Sequence, residues 1–174
     1  MGNKSLLIRN ACSDELDEVS LLLRDTYQQY ENFIRPEAWK SYLEDITDVR
    51  SRLGESDLIV AELDHRLAGC VTLYLDGSHS FPEAWPIGSA VVRLLAVHPE
   101  YRGQGIGRAL MEECIRRCRQ AKVAAISLHT TEAMDVARKM YQRMGFVRVP
   151  ESDFHPVPGV TVMAYRFQLQ TPCS

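Results

Sequence analysis

Apolar positions recur with two different periods along this chain, and the changes of period mark its predicted elements. The segment "SLLIRN" predicts a short first strand. Further along, Pro36 can open a helix over "PEAWKSYLEDI", because proline is tolerated in a first helical turn. Between them, "SDELDEVSLLLRDTYQQYENF" has the helical period. Its predicted apolar face consists of Leu16, Val19, Leu23, Tyr27 and Tyr30.

The middle of the chain predicts strands. The apolar runs "DLIVAEL" and "RLAGCVTLYL" lie on either side of a polar turn at Asp64 and His65, which predicts a hairpin. A polar, proline-containing loop, "DGSHSFPEAWPIG", follows them. After this loop "SAVVRLLAV" predicts another strand.

The second half of the chain alternates helices and strands. "GIGRALMEECIRRCRQ" is amphipathic, and its Glu112 and Arg116 are spaced for an exposed ion pair one turn apart. "VAAISLH" predicts a strand covered on both faces, and "EAMDVARKMYQRM" predicts a helix that ends at Gly145. "FVRV" and "VTVMAYRFQL" predict the last two strands. This order of elements predicts an α/β or α+β fold, a sheet with helices on its faces.

Length, charge and cysteine use narrow the function classes. The 174 residues suggest one domain, 1–174, and the net charge of −3 without a basic stripe argues against nucleic-acid binding. No segment approaches the roughly 20 apolar residues that a membrane span needs, so no membrane partner is expected. The five cysteines are an odd number without a C-x-x-C pair, which predicts reduced thiols and a cytoplasmic location.

A glycine-rich stretch, "HPEYRGQGIGRAL", joins the strand "SAVVRLLAV" to the next helix. Gly103, Gly105 and Gly107 stand between Arg102 and Arg108. A helix N-terminus attracts anions, glycines let the backbone approach a phosphate, and arginines add charge-assisted hydrogen bonds. The stretch therefore predicts a phosphate or pyrophosphate cradle; the alternative is a tight turn with a glycine-rich cap.

Two common phosphate-binding patterns do not fit these glycines. The dinucleotide pattern G-x-G-x-x-G requires a small residue where this chain has Arg108 or Leu110. The P-loop pattern requires a lysine followed by serine or threonine, and neither follows the glycines. A nucleotide-binding enzyme of either class is therefore disfavoured.

A third pattern fits. "LLAVHPEYRGQGIGRALMEE" resembles the acyl-CoA-binding motif R/Q-x-x-G-x-G/A of the GNAT superfamily of N-acetyltransferases, filled here by Arg102, Gly105 and Gly107. "RLAGCVTLYL" resembles the family's third strand, with Gly69 in the usual place. "ARKMYQRMGFVRV" resembles the second family signature, filled by Ala137, Tyr141, Arg143, Gly145 and Phe146. The resemblance implies a single mixed, mostly antiparallel sheet with a splay between strands 4 and 5 and helices on both faces.

The resemblance also implies a binding site for acetyl-CoA. Its pantetheine would pair with the backbone of Leu95, Ala96 and Val97, and a fourth-strand N–H would polarise the thioester carbonyl. Tyr141 would be the general acid that protonates the CoA thiolate; the alternative is a core aromatic on the face formed with Met134, Ala137 and Met144. The pyrophosphate would sit on the backbone amides of Arg102, Gly103, Gln104, Gly105, Ile106, Gly107 and Arg108.

The chain departs from the family pattern at two places. Many relatives have an asparagine against the pantetheine arm where this chain has Met134, so His129, Thr130 or Thr131 are the alternatives for that contact. A carboxylate base is common on the fourth strand, but this strand offers only Arg93, which cannot act as a base at neutral pH. Arg93 either attracts an acidic acceptor or is paired structurally.

The base and the acceptor pocket must therefore come from other segments. The base candidates are Glu31, Asp76, His79, Glu83 and His155. An aromatic pocket wall, or alternatively ordinary core packing, is predicted from Tyr27, Tyr30, Phe33, Trp39, Phe81 and Trp85. No His, Cys or Asp grouping has the spacing of a metal site.

The resemblance implies an N-acetyltransferase that moves the acetyl group of acetyl-CoA to a primary amine of a small molecule or peptide. The amine would attack the thioester directly, with both reactants bound together. Two alternatives stay open: a non-catalytic acyl-CoA-binding module, and an O-acyl or longer-acyl transferase on the same fold. A homodimer is possible.

Overall fold

The computed structural model describes residues 5–80, 85 and 88–169, without the side chain of His79. The helices are α1 (Leu16–Tyr27), α2 (Pro36–Thr47), α3 (Ile106–Gln120) and α4 (Asp135–Arg143). The strands are β1 (Leu6–Asn10), β2 (Asp57–Leu63), β3 (Arg66–Tyr74), β4 (Ser89–Val97), β5 (Ala125–Thr130), β6 (Val147–Arg148) and β7 (Met163–Gln168). This is the predicted order of elements.

The strands form one mixed sheet in the order β1-β2-β3-β4-β5-β7-β6. Neighbours are antiparallel in the pairs β1–β2, β2–β3, β5–β7 and β6–β7, whereas β4 and β5 are parallel. The β4–β5 pairing joins Ser89–Val91 to Ala125–Ser127 and stops there, although both strands continue. The predicted fold class is confirmed, and the early end of this pairing is consistent with the predicted splay.

The chain divides into two compact units, each built from two segments. The first unit combines the chain up to Leu73 with Leu94–Cys114. The second unit combines Tyr74–Arg93 with the chain from Ile115 onward. Both β4 and α3 therefore contribute residues to each unit.

In the first unit, the apolar stripe of α1 is buried as predicted. Leu16, Val19, Leu23 and Tyr27 are all at most 7% exposed. The predicted helix is too long, however, because α1 ends at Tyr27 and the chain continues as a 3₁₀ turn, Gln28–Phe33. Tyr30 lies in that turn and is only partly buried. The tighter turn rotates its side chain away from the α-helical stripe.

The predicted hairpin between β2 and β3 is confirmed. Asp64 and His65 have φ angles of 49° and 64°, so both turn residues are left-handed, as a two-residue hairpin of the type I′ class requires. Leu63 pairs directly with Arg66 across the turn. Asp64 also accepts a hydrogen bond from the backbone N–H of Ser5 at 3.0 Å.

In the second unit, α4 is shorter than predicted. A 3₁₀ turn, Glu132–Met134, precedes it, and within α4 Tyr141 is the buried residue. Gly145 ends the helix in a left-handed conformation with φ of 97°, and the Phe146 N–H donates to the Tyr141 carbonyl at 3.0 Å. The predicted cap is confirmed.

Three smaller expectations concern an ion pair, membrane-spanning helices and the cysteines. Glu112 forms an ion pair with Arg108, one turn before it, and its predicted pair with Arg116 stays a prediction. Among the described residues, no helix is long and apolar enough to cross a membrane. The cysteines at 12, 70, 114 and 118 are free thiols, and Cys173 lies outside the described residues.

Candidate active site

The glycine-rich turn between β4 and α3 is open and conformationally demanding. Gly103 and Gly105 have φ angles of 75° and 79°, in the left-handed region that favours glycine. A Cβ atom built on either residue would meet nothing within 4 Å. These two glycines are therefore required by the backbone conformation, and the space beside them is free for a ligand.

The first turn of α3 offers unpaired backbone donors beside these glycines. The hydrogen-bond ladder of the helix begins with the Ala109 N–H, which donates to the Gly105 carbonyl at 3.0 Å. The N–H groups of Ile106, Gly107 and Arg108 precede that ladder and have no acceptor within the helix. Together with the helix dipole, they favour an anion at this position.

The two arginines of the motif differ in their contacts. Arg102 makes long hydrogen bonds, from Nε to the Val97 carbonyl at 3.4 Å and from Nη1 to Gln29 Oε1 at 3.5 Å. Arg108 Nε donates to Glu112 Oε1 at 2.7 Å, with both side chains more than half exposed. An exposed ion pair of this kind contributes about 0–1 kcal/mol. A phosphate can therefore compete for either guanidinium.

The fourth strand contains a backbone feature that the sequence does not signal. Leu94 has a φ of 54° and is buried, which is an uncommon conformation for a leucine and interrupts the regular backbone geometry of β4. The next residue, Leu95, accepts a hydrogen bond at its carbonyl from Tyr27 Oη at 3.3 Å. The left-handed residue Leu94 therefore directly precedes the segment Leu95–Val97, where the family resemblance places pantetheine.

Gly69 sets the packing of this segment from the side of β3. A Cβ atom built on Gly69 would lie 2.8 Å from the Ala96 carbonyl oxygen, 3.1 Å from Ile106 Cγ2 and 3.2 Å from Leu110 Cδ1. A side chain does not fit at these distances. Gly69 thus allows β3 to approach both β4 and the first turns of α3 closely.

The predicted aromatic wall is only partly brought together. In the first unit, the ring centroid of Tyr27 lies 5.8 Å from that of Tyr30 and 6.3 Å from that of Tyr42. Trp39 contacts Tyr42 at 5.9 Å, whereas Phe33 is 65% exposed. Tyr42 is a member that the sequence did not indicate. Trp85 belongs to the second unit, and Phe81 lies outside the described residues.

In the second unit, Tyr141 is a packed aromatic residue. It is 6% exposed, and its ring centroid lies 5.8 Å from that of Phe146, which in turn contacts Phe167 at 5.3 Å. Phe167 pairs with Ile126 of β5. These contacts place α4 on the face of β5 that carries Ile126, and by alternation also Leu128 and Thr130.

Thr130 has an unsatisfied hydroxyl on that same face. The residue is 2% exposed, and its Oγ1 has no hydrogen-bond partner in the described part of the chain. A buried hydroxyl without a partner costs about 1–3 kcal/mol. Among the three replacements suggested for the missing asparagine, Thr130 is therefore the one that still needs a polar partner. Taken separately, this hydroxyl in the second unit and the open glycine turn in the first unit are each compatible with an acyl-CoA ligand.

On the opposite face of β5, His129 lies in an aromatic cluster. Its ring centroid is 4.8 Å from that of Trp85 and 5.1 Å from that of Phe154. His129 Nε2 lies 2.9 Å from the Ser152 carbonyl oxygen. Burial lowers the pKa of His129, and the Ser152 carbonyl opposes that shift.

The other predicted base candidates have less suitable surroundings. Asp76 accepts from the backbone N–H and the hydroxyl of Ser78, at 3.0 and 2.7 Å, and so caps a short turn. Glu31 and His155 are exposed. Glu83 and the side chain of His79 lie outside the described residues. No cluster of three or more metal-ligating side chains occurs in the described part of the chain.

Comparison with known proteins now decides the family. The model of the Acetyltransferase (GNAT) family matches residues 17–146. The chain belongs to the GNAT family of acetyltransferases. The matched region includes the β4–α3 turn and the end of α4, where both predicted signatures lie.

Individual GNAT relatives match over part of their length. The chain is 29% identical to the probable N-acetyltransferase camello of Xenopus laevis, in an alignment covering 74% of this chain and 58% of that protein. It is 34% identical over 70 residues to N-acetylaspartate synthetase of Danio rerio, covering 40% of this chain and 25% of the synthetase. The chain thus spans from a quarter to just over half of these curated relatives.

Solved GNAT structures share the fold over nearly the whole chain. A GNAT-family acetyltransferase from Staphylococcus aureus Mu50 superposes with a TM-score of 0.74 at 17% identity, covering 95% of this chain and all of the other. The PaiA N-acetyltransferase from Thermoplasma acidophilum in complex with coenzyme A gives a TM-score of 0.71 at 18% identity, covering 94% and 99%.

Proposed function

We propose that this chain transfers the acetyl group of acetyl-CoA to a primary amine of a small molecule or peptide, by direct attack while both are bound. The observation that carries the proposal is the open left-handed turn at Gly103 and Gly105 before α3. That turn supports pyrophosphate binding on the amides from Arg102 to Arg108, with charge supplied by the two arginines.

The donor would continue along β4 in this proposal. Pantetheine would pair with the backbone of Leu95, Ala96 and Val97, which directly follow the left-handed residue Leu94. The unsatisfied hydroxyl of Thr130 would supply the polar contact that an asparagine makes in many relatives. Acetyl-CoA brings the activated acyl group, and these residues bind and orient it.

Tyr141 is proposed as the acid that gives a proton to the leaving thiol. Its burial supports a fixed position, and its place in the second family signature supports the role. A Tyr141→Phe variant keeps the ring that contacts Phe146 and removes only the hydroxyl. We expect kcat to fall by about 10²–10⁴-fold, with the KM for acetyl-CoA little changed.

An unchanged kcat in that variant would remove Tyr141 from the mechanism. Loss of both folding and turnover would instead indicate a packing role, and a thermal melt separates the two cases. The alternative of a non-catalytic acyl-CoA-binding module predicts acetyl-CoA binding by both proteins and turnover by neither.

The proposed function is tested with acetyl-CoA and a pool of amines. The pool contains polyamines, amino acids including aspartate, aminoglycosides, aryl amines and peptides with free lysine or N-terminal amines. Aspartate is included because the synthetase relatives are named for N-acetylaspartate. Products are read by mass spectrometry, since the free thiols, including the exposed Cys12, would react with thiol-detecting dyes.

An acetylated amine would support the proposal and name the acceptor class. Thermal stabilisation by acetyl-CoA without any product would favour the binding module. Both of these outcomes are compatible with donor binding at the glycine turn. Longer acyl-CoA donors and alcohol acceptors in the same assay test the O-acyl and longer-acyl alternatives.

A reducing, cytoplasmic location and a homodimer remain part of the proposal. The four free thiols support the reducing location.

A further inference from the structure

The backbone groups at the end of β4 alternate between its two edges. The His98 N–H donates to the Ala68 carbonyl on β3 at 2.9 Å. In a trans peptide the carbonyl lies opposite the N–H, so the carbonyl of Val97 points away from β3. Because carbonyls alternate along an extended strand, that of Leu95 points the same way. We call this side, away from β3, the outer edge of β4.

Side chains of the first unit contact both carbonyls of the outer edge. Tyr27 Oη donates to the Leu95 carbonyl at 3.3 Å. Arg102 Nε donates to the Val97 carbonyl at 3.4 Å. Tyr27 is the last residue of α1, and Arg102 belongs to the glycine-rich turn. All four residues lie in the first unit, so this unit alone shapes the outer edge.

The contact from Tyr27 is held firmly. Tyr27 is 7% exposed, and its ring makes edge contacts with the rings of Tyr30 and Tyr42, whose centroids lie 5.8 and 6.3 Å away. Packing on this scale restricts the ring to one position. The hydroxyl is therefore kept beside the Leu95 carbonyl.

The contact from Arg102 is exchangeable by comparison. Arg102 is exposed, and its other hydrogen bond, from Nη1 to Gln29 Oε1, is 3.5 Å long. A phosphate makes shorter, charge-assisted hydrogen bonds to a guanidinium than these two carbonyl-type acceptors do. A diphosphate at the glycine turn would therefore draw Arg102 away from Val97.

Leu94 makes the firm contact consequential. Its φ of 54° is disfavoured for leucine, and a residue keeps such a conformation only where its surroundings hold it. The Tyr27 hydroxyl binds the carbonyl of the next residue and so fixes the peptide plane between Leu95 and Ala96. Without that hydrogen bond, the backbone after Leu94 is free to relax towards a regular strand, which would move the outer edge.

We propose that Tyr27 is a positioning residue for the acyl-CoA donor. Its hydroxyl holds the Leu95 carbonyl, so that the outer edge of β4 has the shape that pairs with pantetheine before the donor arrives. The inference rests on the proposed acetyltransferase function. It gives a specific role to a residue that the sequence suggested only as part of an aromatic pocket wall.

This role contributes affinity through preorganisation. A segment that is already ordered loses less conformational freedom when a ligand pairs with it. On binding, the diphosphate would take Arg102 and leave the Val97 carbonyl to the pantetheine arm, whereas the Leu95 carbonyl would stay with Tyr27. The two carbonyls of the outer edge thus have different expected responses to the donor.

The test uses the full chain carrying Tyr27→Phe, which keeps the ring contacts and removes the hydroxyl. Loss of one hydrogen bond should weaken acetyl-CoA binding about fivefold in calorimetric titration. The phosphorylated ADP half of CoA carries the diphosphate but no pantetheine, so its affinity should stay within about twofold of wild type. A general structural defect would weaken both ligands alike, and that result would contradict the positioning role.

The matched control is Tyr74→Phe. Tyr74 is 3% exposed and belongs to a core cluster of the second unit with Trp85, Val91 and Ala164. The same hydroxyl is removed from an equally buried ring, and acetyl-CoA should bind as it does to the wild-type chain. If Tyr27→Phe matched this control in acetyl-CoA affinity, the inference would be wrong.

Turnover by the wild-type chain keeps the two proposals apart. If the wild-type chain acetylates an amine of the pool while Tyr27→Phe binds acetyl-CoA normally, only the positioning role fails. If the wild-type chain binds acetyl-CoA but acetylates nothing, the proposed function fails, and the two titrations still test Tyr27. If the wild-type chain does not bind acetyl-CoA, both fail.

Should Tyr27→Phe fail to fold, the wild-type chain still decides the question. The carbonyl carbons of Leu95 and Val97 are isotope-labelled and followed by NMR as acetyl-CoA is added, because their shifts report hydrogen bonding. The Val97 signal should move, and the Leu95 signal should stay near its position in the free protein. A Leu95 shift as large as that of Val97, or no shift of either, would overturn the assignment.

Discussion

Substitution of Gly69 by alanine should disturb the donor segment of β4 through a single methyl group. The new Cβ would lie 2.8 Å from the Ala96 carbonyl oxygen, a distance that real Cβ atoms do not show. Because the obstacle is backbone, relief requires a displacement of about half an ångström in β4 or β3. Ile106 and Leu110 of α3, at 3.1 and 3.2 Å, restrict the direction of that movement.

The expected cost follows from this geometry. Overpacking by one methyl group in a closely packed site destabilises a protein by about 1–3 kcal/mol. For a chain of this length, each kcal/mol lowers the melting temperature by about 2–4 °C, which gives a total of roughly 2–12 °C. Because the displaced carbonyl belongs to Ala96, the affinity for acetyl-CoA should fall as well.

The matched control is Gly54→Ala. A Cβ atom at Gly54 meets nothing within 4 Å, so this variant should stay within about 0.5 kcal/mol of the wild-type chain. Thermal melts with and without acetyl-CoA, together with calorimetric titration of acetyl-CoA, measure both effects. If Gly69→Ala behaved like Gly54→Ala in both measurements, the close approach of β3 to Ala96 would not contribute to donor binding.

Three further predictions concern single residues. Gly105→Ala forces alanine into a left-handed conformation, at a cost of about 1–2 kcal/mol. Titration should show acetyl-CoA binding weakened about tenfold. Unchanged binding would contradict the proposed pyrophosphate cradle at this turn. Thr130→Val removes the unsatisfied buried hydroxyl and should raise the free energy of unfolding by about 1 kcal/mol. The same variant should bind acetyl-CoA about fivefold more weakly. A gain in stability with unchanged binding would show that the hydroxyl does not contact the donor. Arg148 lowers the pKa of Asp153 to about 2, so the pair should contribute about 2 kcal/mol above pH 4 and lose it as the pH falls from 4 towards 2. Urea unfolding of Asp153→Asn and the wild-type chain across that range should converge at the acid end; a constant difference would refute the assignment.

Periodicity and motifs in the sequence predicted much of the fold because they reflect local physical constraints. The strands β2 and β4 begin and end at the predicted residues, since their apolar runs are bounded by polar turns. The left-handed turn at Gly103 and Gly105 was predictable because glycine is the residue that adopts it at least cost. The stop at Gly145 follows from the same preference.

Features that depend on contacts distant in the sequence were not predictable. Leu94 is left-handed although leucine disfavours that conformation, so the residue type gives no signal for this backbone irregularity. His129 lies against the carbonyl oxygen of Ser152, 23 residues later, and its aromatic neighbours Trp85 and Phe154 come from two distant parts of the chain. Periodicity alone also extended α1 through Tyr30, because it does not distinguish an α-helix from a following 3₁₀ turn.

The division of the chain into two units has a consequence for how the protein is made. Each unit draws on two segments, so the first lacks its part of β4 and α3 until the chain has been synthesised to Cys114. The second lacks the strand that pairs with β5 until Met163–Gln168 has left the ribosome. Only local pieces such as the β2–β3 hairpin can form early, and both units are completed late in translation. Premature termination before β7 would leave β5 with an unpaired edge open to aggregation.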